Sequence, residues 1–325
     1  MPNRQLYATV TNCTGIRSIQ TETSHSTISA NCSIECTGTN LDLSDEVIID
    51  AGYSDNHGIL FHGYVKKIER MTPDKIYKVT VHDPLIRAVD YFIASDDPEN
   101  PLTYHNILDR DLINAILGEA GLPNVVSPQV SPTFSMGTNP DGAKFNLQSA
   151  ADVLQFMCSI TGRLIYADNA GDIYYVDRKP YVDTGDTPTL TFIGGNGGNI
   201  IDATYEKSND RIRDRVVCYG KTPIRAVAED PSPHTIVRQT AVIAHELIDL
   251  QSLADAVVQI NLQLLNRLQE SYELTLEGDP NIQARKIASL TEPFLGVSGR
   301  SVYLYRVAHS ISENGGFITN VTAIP

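Results

Sequence analysis

Residues 301–325 read SVYLYRVAHSISENGGFITNVTAIP and alternate in character on both sides of one turn. Val302, Leu304 and Arg306 alternate with Tyr303, Tyr305 and Val307. After Glu313-Asn314-Gly315-Gly316, the set Phe317, Thr319, Val321 and Ala323 alternates with Ile318, Asn320, Thr322 and Ile324. Period two sends successive side chains to opposite faces of a pleated strand. Asn-Gly-Gly supplies the positive φ that a tight connection needs, so the segment predicts a β-hairpin. The chain stops where the second strand stops, which predicts a built-in final strand rather than a tail. Residues 60–83 repeat the pattern: Phe61, Gly63 and Val65 alternate, Thr72-Pro73-Asp74-Lys75 turns, and Tyr77, Val79 and Val81 return. Two hairpins alike in pattern more than in identity suggest a duplicated β module.

A length of 325 residues fits two or three domains with real cores. The net charge of −14 sets the chain apart. Such a field opposes adhesion to nucleic-acid phosphates, although solubility alone also explains it. The five cysteines, at 13, 32, 36, 158 and 218, are odd in number. Cys32 and Cys36 share one strand face, but no set with zinc spacing accompanies them, so they read as buried free thiols from a reducing compartment. The first residues hold no apolar leader core, and no run of eighteen apolar residues occurs. The expectation is a chain made and folded in a cytoplasm, without a membrane span.

Three segments follow from the patterning. Residues 1–92 read as short strands at 6–10, 19–23, 27–36, 46–51, 59–69 and 75–82, a small barrel or sandwich. Residues 93–185 read as α+β. A polar linker at 96–101 precedes a helix over 108–120, which Gly121 and Pro123 end. A second helix over 150–161 has Ser149 and Asp152 as its cap and Gly162 as its stop. A hairpin over 163–177 turns at 168–171. The run GGNGGN at 194–199 reads as a linker. Beyond it, residues 186–325 return to strands at 202–207, 214–219, 235–241 and 272–277, with one helix over 253–268 capped by Ser252. Leu253, Val257, Ile260, Leu264 and Leu268 form that helix's stripe.

No motif carries chemistry. GGNGGN lacks the Lys-Ser/Thr of a phosphate loop. Asp168-Asn169-Ala170-Gly171-Asp172 lacks the spacing and distal Glu of a calcium loop. His245-Glu246 lacks the second histidine of a zinc peptidase, and no nucleophile elbow appears. The expectation is no catalytic residue, no metal site, no cofactor and no enzyme activity.

Four stretches, in order, resemble the central hub proteins of contractile phage tail baseplates, the late-control protein D-like family related to the hub part of type VI secretion spikes. They are ILFHGYVKKIERMTPDKIYKVTVHDPLIRAVDY, NLQSAADVLQFMCSITGRLIYADNAGDIYYVD, DRVVCYGK and YLYRVAHSISENGGFITNVTAI. The resemblance implies a mainly β fold with α+β insertions. It comprises two tube-like β-barrel modules, at 1–92 and 186–325, and a peripheral α+β domain at 93–185, with the 253–268 helix lying against the second barrel.

It also implies a homotrimer on the tail axis whose paired barrels adapt a sixfold tube to a threefold spike. DNA would pass through its channel. The implied partners are the tail tube or tube-initiator protein, the spike and surrounding wedge proteins. The implied location is the virion baseplate, assembled in the host cytoplasm. Unlike spike-fused relatives, the chain ends at Pro325, so the spike is expected to be a separate protein. The expected interface strands carry Val47, Ile49, Phe61 and Val65, together with Phe317 and Val321 of the terminal hairpin. A tail-tip protein that binds the host surface and a cell-wall-degrading enzyme are the alternatives.

Overall fold

The computed structural model describes residues 4–25, 27–73, 75–94, 101–126, 133–183, 185–208, 212–232, 239–266 and 270–325. The first period-two segments form β1 (Leu6–Val10), β2 (Cys13–Ser24), β3 (Asn31–Thr39), β4 (Glu46–Tyr53), β5 (Asn56–Met71) and β6 (Ile76–His82). They lie side by side as β1-β4-β5-β6-β3-β2, each neighbour antiparallel. Alternation turns Ile19, Ile34, Val47, Ile49, Val79 and Val81 inward as one core. Burying these side chains is worth roughly 1.5–3 kcal/mol each before entropy is counted.

Asp83 ends this module, accepting the backbone N–H of Ala30 at 2.7 Å and of Leu85 at 3.0 Å. The chain then builds α1 (Ile86–Asp90), α2 (Asp109–Glu119) and α3 (Ala150–Thr161). Short ladders pair β7 (Phe92–Ile93) with β12 (Gln148–Ser149), β8 (Leu102–Tyr104) with β11 (Ala143–Phe145), and β9 (Ile107–Leu108) with β10 (Ser135–Met136). The cap on α3 forms as expected. Ser149 Oγ accepts from the Asp152 N–H at 3.0 Å, the Asp152 carboxylate accepts from the Ser149 N–H at 3.3 Å, and Gly162 closes the helix at φ 65°. The hairpin of β13 (Arg163–Ala167) and β14 (Ile173–Asp177) follows.

Next come β15 (Leu190–Ile193) and β16 (Ile200–Lys207), then β17 (Arg215–Tyr219), β18 (Arg225–Glu229), β19 (Thr240–Ala244) and α4 (Gln251–Leu265). The chain closes with β20 (Glu270–Glu277), β21 (Ile287–Glu292), β22 (Val297–Ser312) and β23 (Gly316–Ile324). β15, β16 and β20–β23 form a second module in the order β15-β21-β22-β23-β20-β16, strand for strand the order of the first. The outermost pair alone differs: β15 runs parallel to β21, where β1 runs antiparallel to β4.

Even the irregularities match. The β5–β6 register slips between Val65 and Lys67, and the β22–β23 register between Leu304 and Arg306. The β2–β3 register slips between Ile16 and Ser18, and the β16–β20 register between Ile200 and Asp202. A β-bulge bends a strand locally, so equal bulges on equal rungs mark one design used twice.

Three sequence expectations change. The 253–268 helix was expected against the second barrel. It runs as Gln251–Leu265 and packs on β17, β18 and α3 instead. Its Leu253, Ala254, Val257 and Val258 join one core with Leu112, Ile116, Leu154 and Met157 of the α+β body. A stripe of apolar residues reports that a helix is half buried, not which core buries it. Ser252 does not cap the helix; Leu250 stands at the N-cap without a side-chain bond.

GGNGGN is a turn inside the second module, joining β15 to β16 as Thr11-Asn12 joins β1 to β2. Asn199 pins it by accepting the Ile193 N–H at 2.8 Å. Leu268, residues 96–100 of the expected linker and most of the expected 235–241 strand lie outside the described residues.

The two modules are joined through β22. One edge of this strand pairs with β23 along its second half. The other edge pairs first with β21 and then, from Arg306 to Ser312, with β2. Ile311 and Phe317 enter the first core, and Val307 and Val321 enter the second. Between them His309 and Thr319 are buried and hydrogen-bonded at 2.9 Å.

Burial pulls the His309 pKa down from 6.5 to about 4. Between these values the unfolded chain takes up a proton that the folded chain refuses, so this residue's contribution to stability falls as pH drops from 6.5 to about 4. Urea unfolding across that window should show the wild type losing up to about 3 kcal/mol more than a His309→Gln variant. Equal pH slopes for the two would refute this account.

Candidate functional site: the outer face of the shared sheet

From β6 through β3, β2, β22, β23 and β20 to β16, seven strands form one unbroken hydrogen-bonded surface spanning both modules. The inward residues of this surface are core. Cross-strand register fixes what alternates with them on the other side. Thr80, Ser33, Gln20 and Ser310 stand abreast in one row. Glu22, Ala308, Asn320, Thr275 and Asp202 stand abreast in another. Arg306, Thr322, Glu273 and Thr204 form a third.

Most of these side chains are polar, and several bond to one another. Thr275 Oγ1 donates to Asn320 Oδ1 at 3.0 Å, and Thr322 Oγ1 donates to Glu273 at 2.9 Å. Arg306 donates to both Glu22 oxygens at 2.8 Å. The carboxylates on this face are Glu22, Glu35, Asp202, Glu206, Glu273 and Glu277, against the cations Lys78 and Arg306. Small polar groups that bond within their own surface present little to grip. The surplus of carboxylates gives the surface a negative potential. No charge run or motif announced it, because the acids come from four separated strands. The signal available was the polar half of each period-two pattern.

The residues expected at interfaces all face the other way. Val47, Ile49, Phe61 and Val65 lie in the first core, at 0–4% exposure. Phe317 belongs to the same core at 2%, and Val321 to the second at 1%. Their alternation marks burial within this chain's own modules, so any contact with another molecule falls to the residues between them. On β4 and β5 these include the exposed Ile48 and Ile59.

Other sequence candidates resolve into structure. Asp168 Oδ1 accepts from the N–H groups of Ala170 and Asp172, each at 2.9 Å, which makes it the brace of a hairpin turn. Cys32 and Cys36 are both fully buried, and burial pushes both thiols up, leaving them protonated. Tyr166 and Tyr174 stack at 5.4 Å across β13 and β14. Among the described residues no group of three or more His, Cys, Asp or Glu is placed to hold a metal ion. No helix among them is long and apolar enough to cross a membrane.

No protein-family model and no curated relative matches the sequence. Solved structures do match in shape. A tail protein from Neisseria meningitidis superposes with a TM-score of 0.73 at 11% identity, covering 99% of this chain and 97% of that one. The 43 kDa tail protein of prophage MuSo2 from Shewanella oneidensis gives 0.62 at 14% identity, covering 95% and 94%. An E. coli component of the type VI secretion system, described as structurally similar to the T4 tail proteins gp27 and gp5, gives 0.64 at 10% identity, covering 98% and 76%. At such identities the likeness is one of fold: the chain carries the phage tail hub fold.

The Glu22–Arg306 pair is half exposed on both sides. Such pairs contribute roughly 0.2–1 kcal/mol. Arg306→Ala should therefore shift the unfolding free energy by less than about 1 kcal/mol while making the face more acidic. A loss of several kcal/mol would show that the pair is a structural clamp rather than part of a permissive surface.

Proposed function

We propose that this protein is the structural hub of a phage tail baseplate. In this role it is a homotrimer on the tail axis that forms the channel wall between tail tube and spike, and it catalyses nothing. The observation that carries the reading is the pair of equivalent modules sharing one polar, acidic sheet face. Three copies carry six modules. A ring of six near-identical faces matches a sixfold tube on one side, while the threefold identity of the chains matches a trimeric spike on the other. Head-to-tail contacts between repeated surfaces close into a ring where the rotation between neighbours allows it. The fold shared with tail proteins and with a type VI secretion component supports the same reading.

The sheet face suits a passage for DNA. Carboxylates repel the phosphate backbone, and several of the polar side chains are already bonded to one another. The α+β body stands off this sheet, so it is the part available to surrounding wedge proteins. The tube or tube-initiator protein and the spike then meet the two ends of the ring. The assembled protein resides in the virion baseplate.

Light scattering tests the assembly. A mass of three chains is expected, either alone or after addition of the neighbouring spike and tube proteins. A monomer that binds neither would overturn the reading. The channel has its own test. Gln20→Lys, Glu273→Lys and Asn320→Lys together cancel the carboxylate surplus of the face at exposed positions and should leave particle yield intact while lowering DNA delivery at least tenfold. Unchanged delivery from normally assembled particles would exclude this face from the path.

A further inference from the structure

The two modules are equivalent, yet only one of two equivalent contacts is made within the chain. β22 offers β2 the edge that β21 leaves, from Arg306 to Ser312. Its counterpart β5 has the same length and the same bulge, and β4 leaves it at Tyr64. Among the described residues no strand pairs with that edge of β5 from Lys67 to Met71, and Lys67, Glu69, Arg70 and Met71 are exposed. The missing occupant also has a counterpart. β2 corresponds to β16, which pairs with β20 on one side, and no described strand pairs with its other side. Each chain thus carries one filled joint and both halves of a second, unfilled one.

We infer that β16 of one copy pairs antiparallel with the 67–71 end of β5 in a second copy, repeating between chains the joint that β2 and β22 make within one. The inference deepens the proposed hub role and rests on it for the existence of an assembly. The matched bulges set the register. Gln20 lies two residues beyond Ser18 and Thr204 two beyond Asp202, the residues that follow the bulges of β2 and β16. Ser310 and Met71 each lie four residues beyond the bulges of β22 and β5, which Arg306 and Lys67 follow. Gln20 faces Ser310 within the chain. Thr204 therefore faces Met71 between chains, with Tyr205 against Arg70 and Glu206 against Glu69.

The chemistry of the rungs fits. The Arg70 guanidinium, already over the Tyr77 ring at 5.5 Å, meets the Tyr205 ring from the other side. Glu206 comes beside Lys67, which holds Glu69 at 2.9 Å and so balances the like pair. The exposed Met71 and Tyr205 become covered. The pairing also satisfies two open sheet edges, which otherwise invite indiscriminate association. Because the donor strand and the acceptor edge are different surfaces, the contact is head-to-tail and propagates until a ring closes.

Directly opposed residues on one sheet face bring their Cβ atoms to about 4.5–5.5 Å, within disulfide reach. The test is the double variant Met71→Cys with Thr204→Cys, oxidised mildly after assembly and run on a non-reducing gel, with each single variant as the blank for native thiols. The expected result is a covalent ladder ending at the closed species measured by light scattering. Arg70→Cys with Thr204→Cys, displaced by one rung to the opposite face, should give none. An assembly of normal mass in which the Met71–Thr204 pair does not cross-link would overturn the strand pairing and leave the hub reading standing. Failure to assemble under any condition, with or without the spike and tube proteins, would overturn both.

Discussion

One strand, β22, belongs to two cores at once, and the rest of the architecture depends on that fact. Its first half is held by β21 and its second by β2, while β23 follows it along the other edge. Two modules linked by a flexible connection would turn independently. Modules that share a hydrogen-bonded strand cannot, because rotation would break a ladder that water does not replace in a buried sheet. The cost is a boundary where neither core is complete. His309 and Thr319 occupy it, satisfying each other at 2.9 Å. A neutral histidine does this without burying charge, and its lowered pKa is the trace of that burial.

The α+β body shows how insertions are accommodated without disturbing the modules. One insertion follows β6 and the other separates β16 from β20. Both leave from the same end of the structure, and their apolar faces merge into one core. Inside it Arg163 and Asp109 form a fully buried ion pair, and Asp109 also accepts from the Tyr175 hydroxyl at 3.1 Å and the Phe134 N–H at 3.0 Å. Buried charges are tolerated only with such complete partnership. Here the pair ties the start of α2 to the start of β13, two elements that no ladder connects.

Local patterns in the sequence were enough to reveal both hairpins, the capping box of α3 and the turn at Asp168, because each is decided by a few neighbouring residues. The duplication was visible only as a pattern, since Val65 and Leu304, or Lys67 and Arg306, correspond in place and not in identity. The position of α4 could not be read. Its apolar stripe would suit either the second module or the body, and only contacts distant in sequence decide between them. The residues expected at interfaces turn into the chain's own cores. Val47, Ile49, Phe61 and Val65 stand out by hydrophobicity, and that property marks the interior of the chain's own fold. The polar outer face lies on other strands, and nothing in the identity of its residues distinguishes them from ordinary surface.

The channel role proposed for this face would constrain sequence weakly. A core fixes volume and polarity position by position. A wall that must avoid adhesion fixes only a sign of charge, a short side chain and a partner for each polar group. Thr275 and Asn320, bonded to each other, satisfy that requirement, and other combinations of Ser, Thr, Asn and Gln would too. Solved structures at 10–14% identity keep the fold across almost the whole of this chain. What must persist is the backbone geometry: six strands in one order, used twice, with bulges on matching rungs. That geometry sets the angle between neighbouring modules, and the angle, repeated from one module to the next, determines whether a ring closes.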